Sequence, residues 1–103
     1  MNNKIVMKMI TISNEIILAA ADKEIIGKHL RERNLHLDVR EEFYGSSPVS
    51  KTLFLETMSI CTIANLVGNY TVKTAIEAKF IEPINVIEIE HIKHCQYAKM
   101  IRP

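Results

Sequence analysis

The chain has 103 residues, 48% of them apolar and 24% charged, a composition that suits one globular domain and excludes a disordered chain. Its 13 basic and 12 acidic residues leave a net charge of +1, which excludes a wholly basic nucleic-acid-binding surface and makes local clustering the only route to one. No apolar run approaches the roughly 20 residues of a membrane helix. Cys61 and Cys95 lack C-x-x-C spacing and read as reduced, packed thiols.

In chain order, Lys4 to Ile12 alternates as a strand does, Ser13-Asn14 is a turn signal, and Glu15 to Ala21 resumes with Ile16, Ile17 and Leu18. The two runs predict a β-hairpin. Asp22 can cap a short helix from Lys23 to about Leu30, weakened by Gly27. Arg31 to Asn34 is turn-like. Leu35, Leu37 and Val39 then alternate with His36, Asp38 and Arg40, which predicts a half-buried strand with the polar three facing solvent. Glu41 to Gly45 leaves this strand and Ser46-Ser47-Pro48 forms a loop, with Ser47 or Ser50 as cap of the next helix and Pro48 in its first turn.

That helix shows in Leu53, Thr57, Ile60 and Ala64, with Phe54, Met58 and Cys61 beside them. A second follows in Val72, Ala75, Ile76 and Phe80, with Asn69 as its N-cap, so the pattern predicts two helices meeting at Gly68. An isolated glycine there fits a packed corner. The less favoured reading is an amide-rich helix N-terminus that holds a phosphate or carboxylate, for which one glycine is weak evidence because neither a Walker-type loop nor a G-x-G-x-x-G run accompanies it. Pro83 stops the helix, and Val86 to Ile89 and Cys95 to Ile101 predict two last strands. The sum is a single α+β domain over residues 1–103, a mostly antiparallel or mixed sheet with two to three helices packed on one face.

The chemistry-bearing residues form no complete constellation. His91, His94, Cys95 and Cys61 are possible zinc ligands by type, but no second ligand pair gives them a zinc-site spacing, so no metal is assigned. Glu41 and Glu42 are adjacent carboxylates on an extended segment and read as solvated, and an apolar neighbourhood silences Cys61 as a nucleophile. No catalytic residue follows, and no cofactor. Basic residues do cluster: Lys28, Arg31, Arg33 and Arg40 fall in one window with Tyr44 nearby, and Lys93, Lys99 and Arg102 gather at the end. Lysine and arginine neutralise phosphates and tyrosine stacks on exposed bases, so these eight are the candidate RNA-binding residues. The interleaved Glu32, Asp38, Glu41 and Glu42 argue instead for an ordinary solvated face.

Ala64-Asn65-Leu66-Val67-Gly68 with Val72 and Ala75-Ile76-Glu77, together with Ile26-Gly27-Lys28 and Glu42-Phe43-Tyr44-Gly45 upstream, resembles the archaeal family catalogued as domain of unknown function 424, over about Asp22 to Gln96. The resemblance implies a cytoplasmic, single-domain α+β protein of archaeal origin, in the genomic company of translation genes. His94 and Gln96 match the family's terminal block, where Ile92 and Lys93 stand in place of its Val-Pro and no glycine precedes them. Two functions from different classes follow. One is a non-enzymatic, translation-associated protein contacting ribosomal or other structured RNA, with ribosomal proteins as further partners. The other is a small-ligand binder or enzyme whose pocket uses Asn65, Gly68, His94 and Gln96. An adaptor docking a protein partner on an edge strand or helix face is a third.

Overall fold

A computed structural model describes residues 3–99. The predicted hairpin forms: β1 (Ile5–Ile12) and β2 (Glu15–Asp22) pair antiparallel around Ser13-Asn14, with Ser13 in the left-handed region. The predicted helix from Lys23 to Leu30 does not. Only a 3-10 turn at Lys23–Ile25 forms, Gly27 follows with φ +94°, and the chain enters β3 (His29–Glu32), which pairs with β4 (Leu35–Asp38) as a second hairpin. The reason is tertiary: Leu30 and Leu37 are cross-strand partners whose shared face meets the core, while a continued helix would break that pairing.

Glu41–Tyr44, expected as loop, is one helical turn, α1, ended by Gly45 at φ +90°. A Cβ on Gly45 would meet the Met7 carbonyl oxygen at 2.6 Å, so glycine is what lets this turn lie against β1. Pro48, expected in a helix, sits instead in β5 (Pro48–Val49), which pairs with Val6 and Ile5. Ser50 does cap α2 (Lys51–Ile60), accepting from the Leu53 amide at 3.0 Å. Phe54, Thr57 and Met58 are its buried face, whereas Leu53 and Ile60 are exposed.

The two long helices are not joined at Gly68, although they pack in one core cluster. Between them runs β6 (Ile63–Val67), parallel to β2 and antiparallel to β8 (Ile92–Ala98), so Ala64 belongs to a strand. α3 (Asn69–Glu77) follows, and after a 3-10 turn at Pro83–Asn85 the sheet ends in β7 (Ile87–Ile89) beside β8. The six-stranded order is β5-β1-β2-β6-β8-β7, a mixed sheet in an α+β fold. The predicted continuation of the last strand to Ile101 lies outside the described residues.

Strand alternation sorts the core into two layers. Ile5, Leu18, Ala20, Ala64, Leu66 and Cys95 point toward α2 and α3 and pack with Phe54, Met58, Val72 and Ala75. Val6, Ala19, Ala21 and Val67 point the other way, under the β3–β4 hairpin and α1, and pack with Leu30, Val39 and Tyr44. The alanines of β2 let bulky Phe54 and Tyr44 be buried on opposite sides of one strand, at 0% and 1% exposure. Among the described residues no helix is long and apolar enough to cross a membrane.

Candidate functional site

Register builds the site on the hairpin side of the sheet. Three rows cross it: Val6, Ala21, Val67 and His94; then Lys8, Ala19, Asn65 and Gln96; then Ile10, Ile17, Ile63 and Ala98. Hairpin and α1 cover the first row, while Lys8, Ile10, Gln96 and Ala98 of the other two are exposed. Along the boundary stands α1. Its Phe43 is 46% exposed and perpendicular to the buried Tyr44, with ring centroids 4.9 Å apart. Lys8 Nζ donates to the Glu42 carbonyl at 2.8 Å and pins the turn to β1.

The Tyr44 hydroxyl donates to Asn65 Oδ1 at 2.8 Å. Burial pushes the Tyr44 phenol up to about 12, so it remains a neutral donor across the physiological range. Asn65, Gln96 and His94 therefore share one face, as adjacent rows of one sheet. The His94 ring is nearly enclosed, and its Nδ1 donates to the Leu66 carbonyl at 2.8 Å. Neighbouring Cys95 points to the opposite layer, so the two do not converge on one metal. Among the described residues no group of three His, Cys, Asp or Glu is placed to hold a metal ion.

Gly68 adjoins the same strands, its amide donating to the Lys93 carbonyl at 2.8 Å, but its open side is filled by Asp22. The Asp22 carboxylate reaches the start of α3, where Oδ2 accepts from the Tyr70 amide at 3.0 Å and Oδ1 from the Thr71 amide and hydroxyl at 2.7 Å each. Asp22 is thus an N-terminal cap, but of α3 rather than of the helix expected next to it. Asn69, expected as that cap, is the first helical residue; its side chain bridges to β8, accepting from Lys93 N and donating to the His91 carbonyl. Any Cβ on Gly68 would run into Asp22. The anion at this helix end is the chain's own.

The basic residues fall into two groups. The β3–β4 hairpin turns Leu30 and Leu37 inward and His29, Arg31, His36 and Asp38 outward, as the alternation of β4 predicts. Arg33 is at its tip with φ +57°, and exposed Lys28 and Arg40 flank its base. Asp38 accepts from His29 Nδ1 at 2.8 Å and lies 3.7 Å from Arg40. The His29 hydrogen bond, then the Arg40 and Arg31 charges, hold the Asp38 carboxyl below its usual 3.8. Glu32 and Glu90 are turned to backbone amides, Glu90 Oε2 accepting from Arg31 N at 2.6 Å and Glu32 Oε1 from Glu90 N at 2.8 Å, which locks the hairpin to the β7–β8 turn. Lys28, Arg31 and Arg33 then form no ion pair among the described residues.

Lys93 and Lys99 belong to the other layer. Odd-numbered positions of β8 face the helices, where Lys93 pairs with Glu88 at 3.0 Å and Lys99 Nζ donates to the Ser59 carbonyl at 3.4 Å. They do not join the hairpin's surface. Arg102 lies outside the described residues. Phe43 and Lys8 carry geometry that their residue types alone did not announce; for Phe43 the available signal was a large aromatic beside Tyr44 in a polar segment.

Comparison with known proteins agrees with this architecture. A crystal structure of an uncharacterized conserved protein from Methanopyrus kandleri superposes with a TM-score of 0.81 over 96% of this chain and 94% of that one, at 15% identity, a likeness of fold. No curated protein matches the sequence. The family model described as "Protein of unknown function (DUF424)" matches residues 10–100, and the chain belongs to that family.

Proposed function

We propose that this is a non-catalytic, cytoplasmic protein associated with translation, of archaeal origin, that contacts ribosomal or other structured RNA through the outward face of the β3–β4 hairpin and α1. One observation carries the reading. The hairpin sorts its residues by face, Leu30 and Leu37 inward and Arg31 and His36 outward, while its acidic residues are engaged by backbone amides, His29 and Arg40. Cationic side chains left without partners on a projecting ribbon suit a phosphate backbone, whose neutralisation releases counterions. Lys28, Arg31, Arg33 and Arg40 belong to this surface; Tyr44, expected to stack on exposed bases, is instead buried in the core at 1% exposure and presents no ring to a ligand, and Lys93 and Lys99 on the opposite layer contribute nothing.

The test is salt-dependent RNA binding, read by sedimentation of extract with and without ribonuclease and by titration of purified protein. Arg31→Glu and Arg33→Ala should weaken binding and each lower the slope of log K against log salt by about one. Lys93→Ala and Lys99→Ala should leave both unchanged. RNA association untouched by Arg31→Glu would defeat the reading.

One observation favours the second function. His94 donates its Nδ1 proton to the Leu66 carbonyl and lines a cleft of about 410 Å³ with Asn85, Ile87, Cys95 and Gln96, which leaves Nε2 as the ring nitrogen free for a ligand. A small-molecule site would show binding insensitive to salt and lost in His94→Leu.

A further inference from the structure

Beside α1 the sheet leaves a cleft of about 410 Å³, bordered by Phe43, Asn65, Leu37, Arg40, Asp38 and Glu42. Three of its features are chemically directed. Phe43 is exposed and stands edge-on to buried Tyr44, with the ring centroids 4.9 Å apart, which leaves a face of its ring open to the cleft. The Tyr44 hydroxyl occupies Asn65 Oδ1, so the Asn65 amide turns its two N–H donors away from Tyr44, and no hydrogen bond to them is formed among the described residues. Arg40 lies at the same rim with its side chain 67% exposed, 3.7 Å from Asp38, close enough to offset that carboxylate and free enough to reach outward.

An aromatic platform, an oriented pair of amide donors and a guanidinium on one cleft match the parts of a nucleotide. The geometry points to this cleft as a seat for one unpaired nucleobase of a bound RNA strand, stacked on Phe43, hydrogen-bonded at an acceptor on its edge by Asn65 Nδ2, with the adjoining phosphate toward Arg40. The occupant rests on the RNA reading, since it places one base of the strand whose backbone lies along the hairpin. Stacking tolerates any base because every base has a π-face, and the Asp38 and Glu42 carboxylates complement base N–H groups while disfavouring a phosphate alone. Asn65 and Phe43 touch the base; Tyr44 is a positioning residue that acts through Asn65. Gly45 supports the same seat, because its backbone places α1 against β1.

Mononucleotides separate the seat from the hairpin. In NMR titrations of the intact protein, uridine and adenosine 5′-monophosphates should shift the Phe43 ring and the Asn65 side-chain amide, whereas ribose 5-phosphate and inorganic phosphate should not. Phe43→Ala should weaken nucleotide binding by about tenfold or more, the loss expected when a stacked base loses its ring. Phe43→Tyr should restore it. Asn65→Asp replaces the donors by a third carboxylate and should abolish binding of either nucleotide. Tyr44→Phe should weaken nucleotide binding and broaden the Asn65 amide pair, a change that a merely structural tyrosine would not produce in a folded protein. The inference is overturned if ribose 5-phosphate gives the same shifts, or if Phe43→Ala binds both nucleotides like the wild type. A short single-stranded RNA completes the separation. Binding lost in Arg31→Glu but unaltered in Phe43→Ala would leave the hairpin reading standing without the seat. Nucleotide shifts at Phe43 and Asn65 with RNA binding indifferent to salt and to Arg31 would leave the seat standing without the hairpin.

Discussion

Gly68 turns with φ +116° directly beneath the Asp22 carboxylate, and that approach is what brings the acid within reach of two amides and a hydroxyl of α3. Gly68→Ala combines a strained backbone with a collision and should cost about 1–3 kcal/mol or more in urea unfolding. Asp22→Ala removes the cap and should cost about 1–2 kcal/mol. Because the two act on one contact, the double variant should be less destabilised than the sum of the singles. At this scale the sequence was half legible. Asp22 reads as a capping residue from its type alone, but its nearest downstream segment is the wrong partner, since the first amide it caps, Tyr70 of α3, lies 48 residues away. Asn65 and Tyr44 could be singled out separately, whereas their hydrogen bond depends on α1 folding over β6.

Elements built from local alternation were the readable ones. β1 and β4 announce themselves by alternation, β2 by the turn residues that precede its apolar run, and α2 by its Ser50 cap and apolar stripe. β6 did not, because Ile63–Val67 is packed by both layers and its nearly continuous apolar run extends the helical spacing of Leu53, Thr57 and Ile60. β3 was hidden by the charged residues of its outward face, which obscure the single inward Leu30. Its attachment makes two predictions. Glu90→Ala should speed amide exchange at Arg31 while leaving global unfolding nearly unchanged, because the interaction holds an exposed hairpin rather than the core. The Asp38 carboxyl should titrate below 3.8, moving upward in His29→Ala and Arg40→Ala. Its depressed value means that the contribution of the cluster is present at neutral pH and is lost only as pH falls below about 4 through the folded-state titration, visible as acid loosening of the hairpin amides.

For the whole molecule, the α+β class followed from the mixture of periods, whereas strand order and the two-sided covering of the sheet depend on pairings between segments far apart in sequence. The covering decides which groups are chemically silent. Cys61 and Cys95 are both buried in the helix-side layer as free thiols, and burial pushes Cys61 up and Cys95 to about 11. At pH 8 the native protein should resist a thiol reagent, and both cysteines should react once it is unfolded in urea.

One margin of the sheet is left bare. β5 spans only Ile5 and Val6 of β1, and Gly45 abuts Met7, so Met9–Ile12 has no strand on its outer side among the described residues. Met9, Ile10 and Ile12 are 48%, 43% and 55% exposed, and the stretch carries no charge of its own. Such a margin governs colloidal behaviour rather than folding, because an unpaired, apolar strand templates pairing with another molecule. Concentrated wild-type protein should self-associate by light scattering, and Ile12→Lys, a charge added to a solvent-facing position at the rim, should keep it dispersed with its unfolding midpoint nearly unmoved.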